Sequence, residues 1–162
     1  FGADDQTLAG TVVKALDARD RTVAVAESCT GGWLGKLLVD VPGASDVLAG
    51  GVIGYANAVK EDLLGVPCDL LTAHGAVSEP VAAAMAQGVR RRLGADYALA
   101  ITGVAGPTGG TADKPVGLVY TALAWDDGQT VRRNQFAGAR QAVRLRSALT
   151  ALNMLRLHLL DP

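Results

Sequence analysis

The segment Val23-Ala24-Val25-Ala26-Glu27-Ser28-Cys29-Thr30-Gly31-Gly32 joins an apolar run to a hydroxyl, a thiol and two glycines. The apolar run is typical of a buried strand, and the residues after it have helical spacing. Glycines let the backbone approach a ligand closely, and the free N–H groups at the start of a helix can hold an anion. The segment therefore predicts an α/β fold with a nucleophile, Ser28, at a strand-to-helix turn. A serine before a helix is also typical of an N-cap, and the turn alone leaves that alternative open.

The rest of the chain continues the alternation of helices and strands. Helical spacing of apolar residues, apolar runs, and turn signals at Pro42-Gly43 and Asp127-Gly128 mark the predicted elements. They are helices near 8–16, 30–39, 57–64, 78–93 and 139–160, strands near 22–26, 49–56 and 97–102, and a hairpin over 118–136. We expect a three-layer α/β/α sandwich with a mixed sheet, ending in a β-hairpin and a long helix, with residues 1–162 forming a single domain.

Composition restricts the class of protein. The 162 residues are 49% hydrophobic and carry 15 Lys and Arg against 16 Asp and Glu, so no nucleic-acid-binding surface is expected. Two cysteines are too few for a disulfide framework, and neither has partners at metal-ligand spacing. No apolar stretch approaches the roughly 18 residues of a membrane span. We expect a cytoplasmic protein without a metal site or a membrane contact, and the apolar surface predicts a homo-oligomer.

A serine nucleophile needs a base, and the histidines are poor candidates. His158 lies near the end of the last predicted helix, and His74 lies in a predicted loop, where structural roles are favoured. A lysine can serve instead if its pKa falls by about 3 units. Lys60 follows a strand ending near Tyr55 and is the best-placed lysine. Cys29 is an alternative nucleophile, but adjacent residues point in different directions, which favours a packing role beside Ser28.

Two further features could bind a substrate. The loop over residues 103–110 is rich in glycine, and its backbone could surround a nucleotide, although a tight structural crossover is the alternative. Arg140 and Arg144 lie four residues apart at the start of the last helix, where they could grip a phosphate in a fork.

Four segments, 27–32, 54–60, 75–79 and 102–110, occur in this order, and the last is followed by Lys-Pro-Val-Gly at 114–117. Together they resemble the CinA C-terminal domain family, which includes the nicotinamide-nucleotide amidases. The pattern Phe136-x-Gly138-x-Arg140-x-x-x-Arg144 is similar to that family as well. Ala139 departs from it, because relatives commonly have an acidic residue there, and this weakens the assignment of the arginines.

The resemblance implies hydrolysis of the carboxamide of nicotinamide mononucleotide to nicotinic acid mononucleotide and ammonia, without a metal or an organic cofactor. By the same resemblance Ser28 is the nucleophile, Lys60 is the base, Tyr55 orients one of them, and Thr102 is the hydroxyl of the glycine-rich loop. Two alternatives remain: an amidase for another carboxamide, and a non-catalytic nucleotide-binding or interaction module of the competence/damage-inducible type.

The predicted site combines what the residues themselves indicate with what the family resemblance implies. The catalytic residues are Ser28, Lys60 and Tyr55. Backbone N–H groups around Thr30 and Gly31 are expected to stabilise an oxyanion. The residues expected to bind the substrate are Thr30, Gly31, Thr102, Gly103, Gly106, Gly109, Arg140 and Arg144.

Overall fold

Five strands form one mixed sheet in the computed structural model, which describes residues 7–160. The strands are β1 (Val23–Glu27), β2 (Leu48–Ile53), β3 (Tyr97–Gly103), β4 (Leu118–Ala124) and β5 (Gln129–Gln135). Their order across the sheet is β2-β1-β3-β4-β5. β1 runs parallel to β2 and β3, whereas β4 is antiparallel to both β3 and β5. The apolar strands β1 and β3 therefore lie at the centre, and the polar strand β5 forms an edge.

Helices cover both faces of the sheet. They are α1 (Leu8–Asp17), α2 (Trp33–Val39), α3 (Ala44–Val47), α4 (Asn57–Leu64), α5 (Cys68–His74), α6 (Glu79–Leu93) and α7 (Arg140–Leu160). Apolar side chains of α1, α2 and α7 form one core with the sheet, and those of α4, α5 and α6 form a second core on the other face. The expected three-layer α/β/α sandwich with a mixed sheet, a hairpin and a long last helix is confirmed.

Some element boundaries differ from the predicted ones. The helix expected from residue 30 begins at Trp33, because residues 30–32 form a turn in which Gly32 has a φ of 94°. The second strand ends at Ile53 rather than near residue 56. The short helices α3 and α5 were not expected, and His74 lies at the end of α5 rather than in a loop. Both helices are too short for apolar periodicity to show them.

Gly88 fixes the position of α4 against α6. A Cβ at Gly88 would lie 1.8 Å from the carbonyl oxygen of Leu64, the last residue of α4. Only glycine allows the two helix backbones to come so close. Since Lys60 lies on α4, this contact helps to place it beside the sheet.

No helix within residues 7–160 is both long and apolar enough to cross a lipid bilayer. The predicted domain, residues 1–162, also includes residues 1–6 and 161–162, which lie outside the described part of the chain.

Candidate active site

A pocket of about 260 Å³ lies where the carboxyl ends of β1 and β3 meet. Parallel strands present their following turns at the same edge of a sheet, which is where ligands bind in such folds. The lining comes from the turn after β1, from α4, from the turn before α6, from the loop after β3 and from the start of α7. The lining residues are Ser28, Cys29, Tyr55, Lys60, Ala76, Val77, Thr102, Gly103, Val104, Ala105, Gly106, Thr108, Gly109 and Arg140.

The hydroxyl of Ser28, in the turn after β1, does not cap helix α2, whose N-cap residue is Gly32. The N–H of Ser28 donates to the carbonyl oxygen of Ile101 at 2.9 Å and thereby fixes the residue to β3. Helix α2 has no side-chain N-cap; its position is held by the buried carboxylate of Glu27. That carboxylate accepts hydrogen bonds from the backbone N–H groups of Gly32, Leu34 and Gly35, at 3.1, 3.0 and 2.8 Å. The N-cap alternative for Ser28 is therefore wrong.

Lys60 reaches this serine from α4. Its side chain is fully buried, and Nζ lies 3.3 Å from Ser28 Oγ. Nζ also donates to the carbonyl oxygens of Gly54 at 2.6 Å and Tyr55 at 3.2 Å. Within residues 7–160 no carboxylate forms an ion pair with Lys60. Burial therefore lowers the pKa of Lys60 below its usual value of 10.5.

The three oxygen partners of Nζ match the three donors of an ammonium group, and they also allow a neutral amine. An uncharged lysine has two N–H donors and one lone pair, and the carbonyl oxygens of Gly54 and Tyr55 can accept from both donors. The lone pair is then available towards Ser28 Oγ. A lowered pKa and a hydrogen-bond distance are the two properties that a general base requires. The pair can therefore move a proton from the serine to the lysine.

Tyr55 contacts Lys60 in a way that the sequence did not suggest. Its side chain is 63% exposed at the rim of the pocket, and its hydroxyl oxygen lies 3.5 Å from a guanidinium nitrogen of Arg140. Within the described residues the phenol makes no hydrogen bond with Ser28 or Lys60, and the backbone carbonyl oxygen of Tyr55 holds the lysine instead. The strand ends before Tyr55, so the ring turns outwards while the carbonyl faces α4.

The loop after β3 brings backbone and one hydroxyl into the pocket. Thr102 is buried, and its hydroxyl donates to the carbonyl oxygen of Ala76 at 2.8 Å, which leaves its oxygen lone pairs as acceptors. A Cβ at Gly103 would lie 2.7 Å from the carbonyl oxygen of Leu118, so this glycine also serves a tight crossover to β4. Gly106 and Gly109 line the pocket with Gly103. The two interpretations of the glycine-rich loop are thus compatible.

The two arginines of α7 do not form the expected fork. Arg140 lines the pocket, and one of its guanidinium nitrogens donates to the carbonyl oxygen of Gly106 at 2.9 Å. Arg144 donates instead to the carbonyl oxygens of Cys29 and Thr30, at 3.1 and 2.6 Å. The two guanidinium groups therefore hydrogen-bond to different segments of the backbone. Among the expected site residues Thr30, Gly31 and Arg144 lie outside the pocket lining.

The two cysteines and the possible metal ligands lie in different surroundings from those of Ser28 and Lys60. Cys29 is buried, and burial raises the pKa of its thiol to about 11, which keeps it uncharged near neutral pH. Cys68 is an exposed free thiol on α5. Among the described residues no group of three or more His, Cys, Asp or Glu side chains is arranged to hold a metal ion.

Sequence reasoning gave no role to three residues that shape the site. Glu27 was quoted within the motif but given no role, although a carboxylate between a buried strand and a glycine turn is a signal for a helix N-terminus. Ala76 and Val77 form one wall because the unexpected helix α5 places their turn beside Thr102.

Residues 5–159 match the CinA C-terminal domain, and the chain belongs to this family. A CinA-like protein from Anaeromyxobacter sp. (strain Fw109-5) is 55% identical over 98% of this chain, and one from Synechococcus sp. (strain CC9311) is 56% identical over 99% of it. Among solved structures, the competence/damage inducible protein CihA from Agrobacterium tumefaciens superposes with a TM-score of 0.93. It shares 39% identity with this chain over 99% of this chain and 98% of its own.

A CinA superfamily protein from Klebsiella pneumoniae superposes with a TM-score of 0.92 at 34% identity, over 96% of this chain and 97% of its own. The chain spans only 39% and 38% of the lengths of the Anaeromyxobacter and Synechococcus relatives.

Proposed function

We propose that this domain is an amidohydrolase that converts the carboxamide of nicotinamide mononucleotide to the carboxylate of nicotinic acid mononucleotide and releases ammonia. One observation carries the proposal: Lys60 Nζ lies 3.3 Å from Ser28 Oγ, in a buried position without a carboxylate partner among the described residues. A serine and an uncharged lysine at this distance form a nucleophile and its base. Family membership supports an amide as the substrate.

The reaction proceeds through a serine ester. Ser28 Oγ attacks the carboxamide carbon while Lys60 takes the hydroxyl proton, and the carbonyl π electrons move onto the amide oxygen. The C–N bond then breaks, and ammonia leaves with the proton returned by Lys60. Water attacks the ester in the same way, with Lys60 as base, and frees the carboxylate and the serine. No metal ion or organic cofactor is required for these steps.

The negative oxygen of the tetrahedral intermediate needs donors near Ser28. The N–H of Gly31 is already used, because it donates to the carbonyl oxygen of Ser28 at 3.1 Å. The N–H groups of Cys29 and Thr30 have no acceptor within residues 7–160. Cys29 lines the pocket and Thr30 follows it directly in the turn, and we assign the oxyanion to these two groups. This replaces Gly31 in the role expected from the sequence.

The nucleotide part of the substrate is assigned to the opposite wall. Arg140 uses one guanidinium nitrogen on Gly106 and has further donors at the pocket rim for a phosphate. Thr102 and the loop backbone at Gly103, Gly106 and Gly109 then border the sugar and the ring. A cytoplasmic location and a homo-oligomer remain predictions from the sequence.

The direct test is ammonia release from nicotinamide mononucleotide by the purified chain, compared with Ser28→Ala and Lys60→Met. We expect turnover by the wild type and loss in both variants. Lys36→Met is a matched control, since among the residues the structure describes this exposed lysine on α2 pairs with Asp40 alone. Full activity in Ser28→Ala or Lys60→Met would refute the pair.

Assays with a panel of amides test the identity of the substrate separately from the Ser28 and Lys60 chemistry. Turnover of other carboxamides, but not of the mononucleotide, would keep the Ser28 and Lys60 chemistry and change the substrate. Binding of the mononucleotide without ammonia release at any pH would favour the non-catalytic nucleotide-binding module.

A further inference from the structure

We propose that Arg144 is a positioning residue, which holds the turn after Ser28 so that its N–H groups face the oxyanion, and that it is not a ligand of the substrate phosphate. The inference rests on the proposed amidase function. It changes the role that the sequence suggested, in which Arg140 and Arg144 grip one phosphate together.

Three contacts fix the guanidinium of Arg144 between the turn and the first residue of α2. Nε donates to the carbonyl oxygen of Cys29 at 3.1 Å, and Nη2 donates to that of Thr30 at 2.6 Å. The central carbon lies 5.0 Å from the ring centre of Trp33, which is within the range of a cation–π contact. The group is thus held through its edge by two carbonyls and through its face by a ring.

These contacts determine where the N–H groups of the turn point. In a trans peptide the C=O and the following N–H point in opposite directions. With the Cys29 carbonyl directed at Arg144, the N–H of Thr30 points away from it. In the same way the Thr30 carbonyl directs the N–H of Gly31 to the carbonyl oxygen of Ser28. Arg144 therefore selects the peptide orientation that leaves the Thr30 N–H free of any acceptor in the described chain.

Backbone hydrogen bonds also support the turn: the N–H of Gly31 donates to the carbonyl oxygen of Ser28 at 3.1 Å, and the N–H of Trp33 donates to that of Thr30 at 3.3 Å. Among the described residues the carbonyl oxygen of Cys29 accepts from Arg144 alone. The hydroxyl of Thr30 is buried and has no hydrogen-bond partner among the described residues, so that side chain does not hold the turn. Within residues 7–160 Arg144 forms no ion pair, and its charge is met by two carbonyl dipoles and the Trp33 ring. A positive charge behind the turn also favours the negative oxygen that forms in front of it.

Arg140 differs in its access to the pocket, because it is exposed whereas Arg144 is half-buried. It lines the pocket, and it reaches the phenol of Tyr55 at the rim, 3.5 Å away. Arg144 is absent from the lining and has two of its donors committed to the turn. Phosphate recognition is therefore assigned to Arg140 alone.

The test measures kcat and KM for nicotinamide mononucleotide, together with the inhibition constant of ribose 5-phosphate, in Arg144→Met, Arg144→Lys and Arg140→Met. Arg144→Met should lower kcat about 100-fold, the size of an oxyanion-donor effect, and leave the inhibition constant within about twofold. Arg140→Met should raise that constant about tenfold or more, because a charged phosphate contact is lost. Arg144→Lys should recover part of kcat.

Arg146→Met is the matched control, since within residues 7–160 this exposed arginine on the same helix donates one side-chain hydrogen bond, to the carbonyl oxygen of Ala137. A raised inhibition constant with normal kcat in Arg144→Met would make Arg144 a phosphate ligand, and wild-type values would leave it no role; either result overturns the inference. If Arg144→Met does not fold, as judged by circular dichroism, the same criteria apply to Arg144→Lys.

Failure of the proposed function has a different signature. A wild type that releases no ammonia from any amide refutes the function, and Ser28 labelling by a fluorophosphonate then tests the turn directly. Labelling slowed about 100-fold by Arg144→Met still supports the positioning role, because the phosphoryl oxygen occupies the same donors. Equal labelling of the variant, or no labelling of the wild type, overturns it.

Discussion

The sheet carries a polar cleft at each end, and the two differ in how their charges are compensated. The cleft at the amino-terminal end of β3 has a volume of about 390 Å³, against about 260 Å³ for the pocket beside Ser28. Its lining residues are Arg21, Arg90, Gly94, Ala95, Asp96, Tyr97, Trp125 and Asp126. It is the larger cleft and has more charged side chains than the pocket beside Ser28.

Each of those charges has a partner. Arg21 pairs with Asp96 at 2.7 Å, and Arg90 pairs with Asp126 at 3.1 Å. Burial alone would raise the pKa of Asp96, but hydrogen bonds from the backbone and hydroxyl of Thr22 and from Arg21 outweigh it and hold the pKa below 3.8. The cleft is a stabilising cluster that ties β1, β3 and α6 together.

In the pocket beside Ser28, by contrast, the buried amine is not paired with an opposite charge within residues 7–160. Lys60 is buried among carbonyl oxygens and a hydroxyl, and within residues 7–160 it has no carboxylate partner. Burial disfavours its charged form and lowers its pKa. A buried amine without a counter-charge among the described residues is therefore a better mark of the proposed reactive cleft than its size or its number of charges.

The largest expected effect comes from removing the uncompensated amine. Lys60→Met should lower amide hydrolysis about 1000-fold or more, since a general base contributes effects of that order. The free energy of unfolding at pH 7 should be unchanged or higher, because an apolar side chain of similar length replaces a desolvated amine. Ammonia assays and urea denaturation of the same samples check both. A stability loss equal to that of an ordinary core truncation would contradict the comparison.

Gly88→Ala should disturb the reactive end through packing. The added methyl group meets the Leu64 backbone at the end of α4, and we expect a loss of about 3 kcal/mol in the free energy of unfolding. Gln87→Ala, at the neighbouring half-buried position of α6, is the control and should change stability by less than about 0.5 kcal/mol. Urea denaturation measures both, and equal stabilities would show that α4 is not held by this contact.

The pH dependence of activity should follow the loss of the proton from Lys60. The base must be uncharged, so kcat/KM should fall about tenfold per pH unit below the pKa of Lys60, which lies below 10.5 in the folded protein. Unfolding frees the amine to bind a proton, so the stability contribution of Lys60 rises with pH between the lowered pKa and 10.5. This rise should be missing in Lys60→Met. A pH-independent kcat/KM from pH 6 to 10, roughly the range a buried lysine can span, would exclude Lys60 as the base.

The smallest effect is expected at the compensated end. Asp96→Asn should cost about 1–2 kcal/mol in the free energy of unfolding through weaker hydrogen bonds, and it should leave ammonia release unchanged. The wild-type advantage should be present above pH 3.8 and be lost as the pH falls towards the lowered pKa of Asp96. Acid denaturation of both proteins measures it. A large loss of activity would show that the two clefts are coupled.

Local patterns were sufficient for most of the fold. The strand near residues 22–26 and the helix at residues 57–64 needed only an apolar run, helical spacing, and the stop signal of Gly65 and Pro67 after the helix. The helix predicted from residue 30 begins at Trp33, because local spacing did not show the turn before it. Helix α5 was not predicted, because a seven-residue segment between Pro67 and Gly75 is interpreted as a loop from sequence alone. The run Arg90-Arg91-Arg92 is typical of an exposed helix face. The structure shows instead that Arg90, alone of the three, is half-buried and donates a hydrogen bond to Asp126.

Residue types and short-range order thus indicated a serine in a turn, a lysine on a helix and a glycine-rich loop, because these depend on neighbours within a few positions. Tertiary structure alone decided that Lys60 reaches Ser28, that the Tyr55 carbonyl rather than its phenol contacts the lysine, and that Arg144 faces the turn instead of the pocket. Burial and long-range packing set the pKa and the partner of each group, and neither is encoded in local spacing.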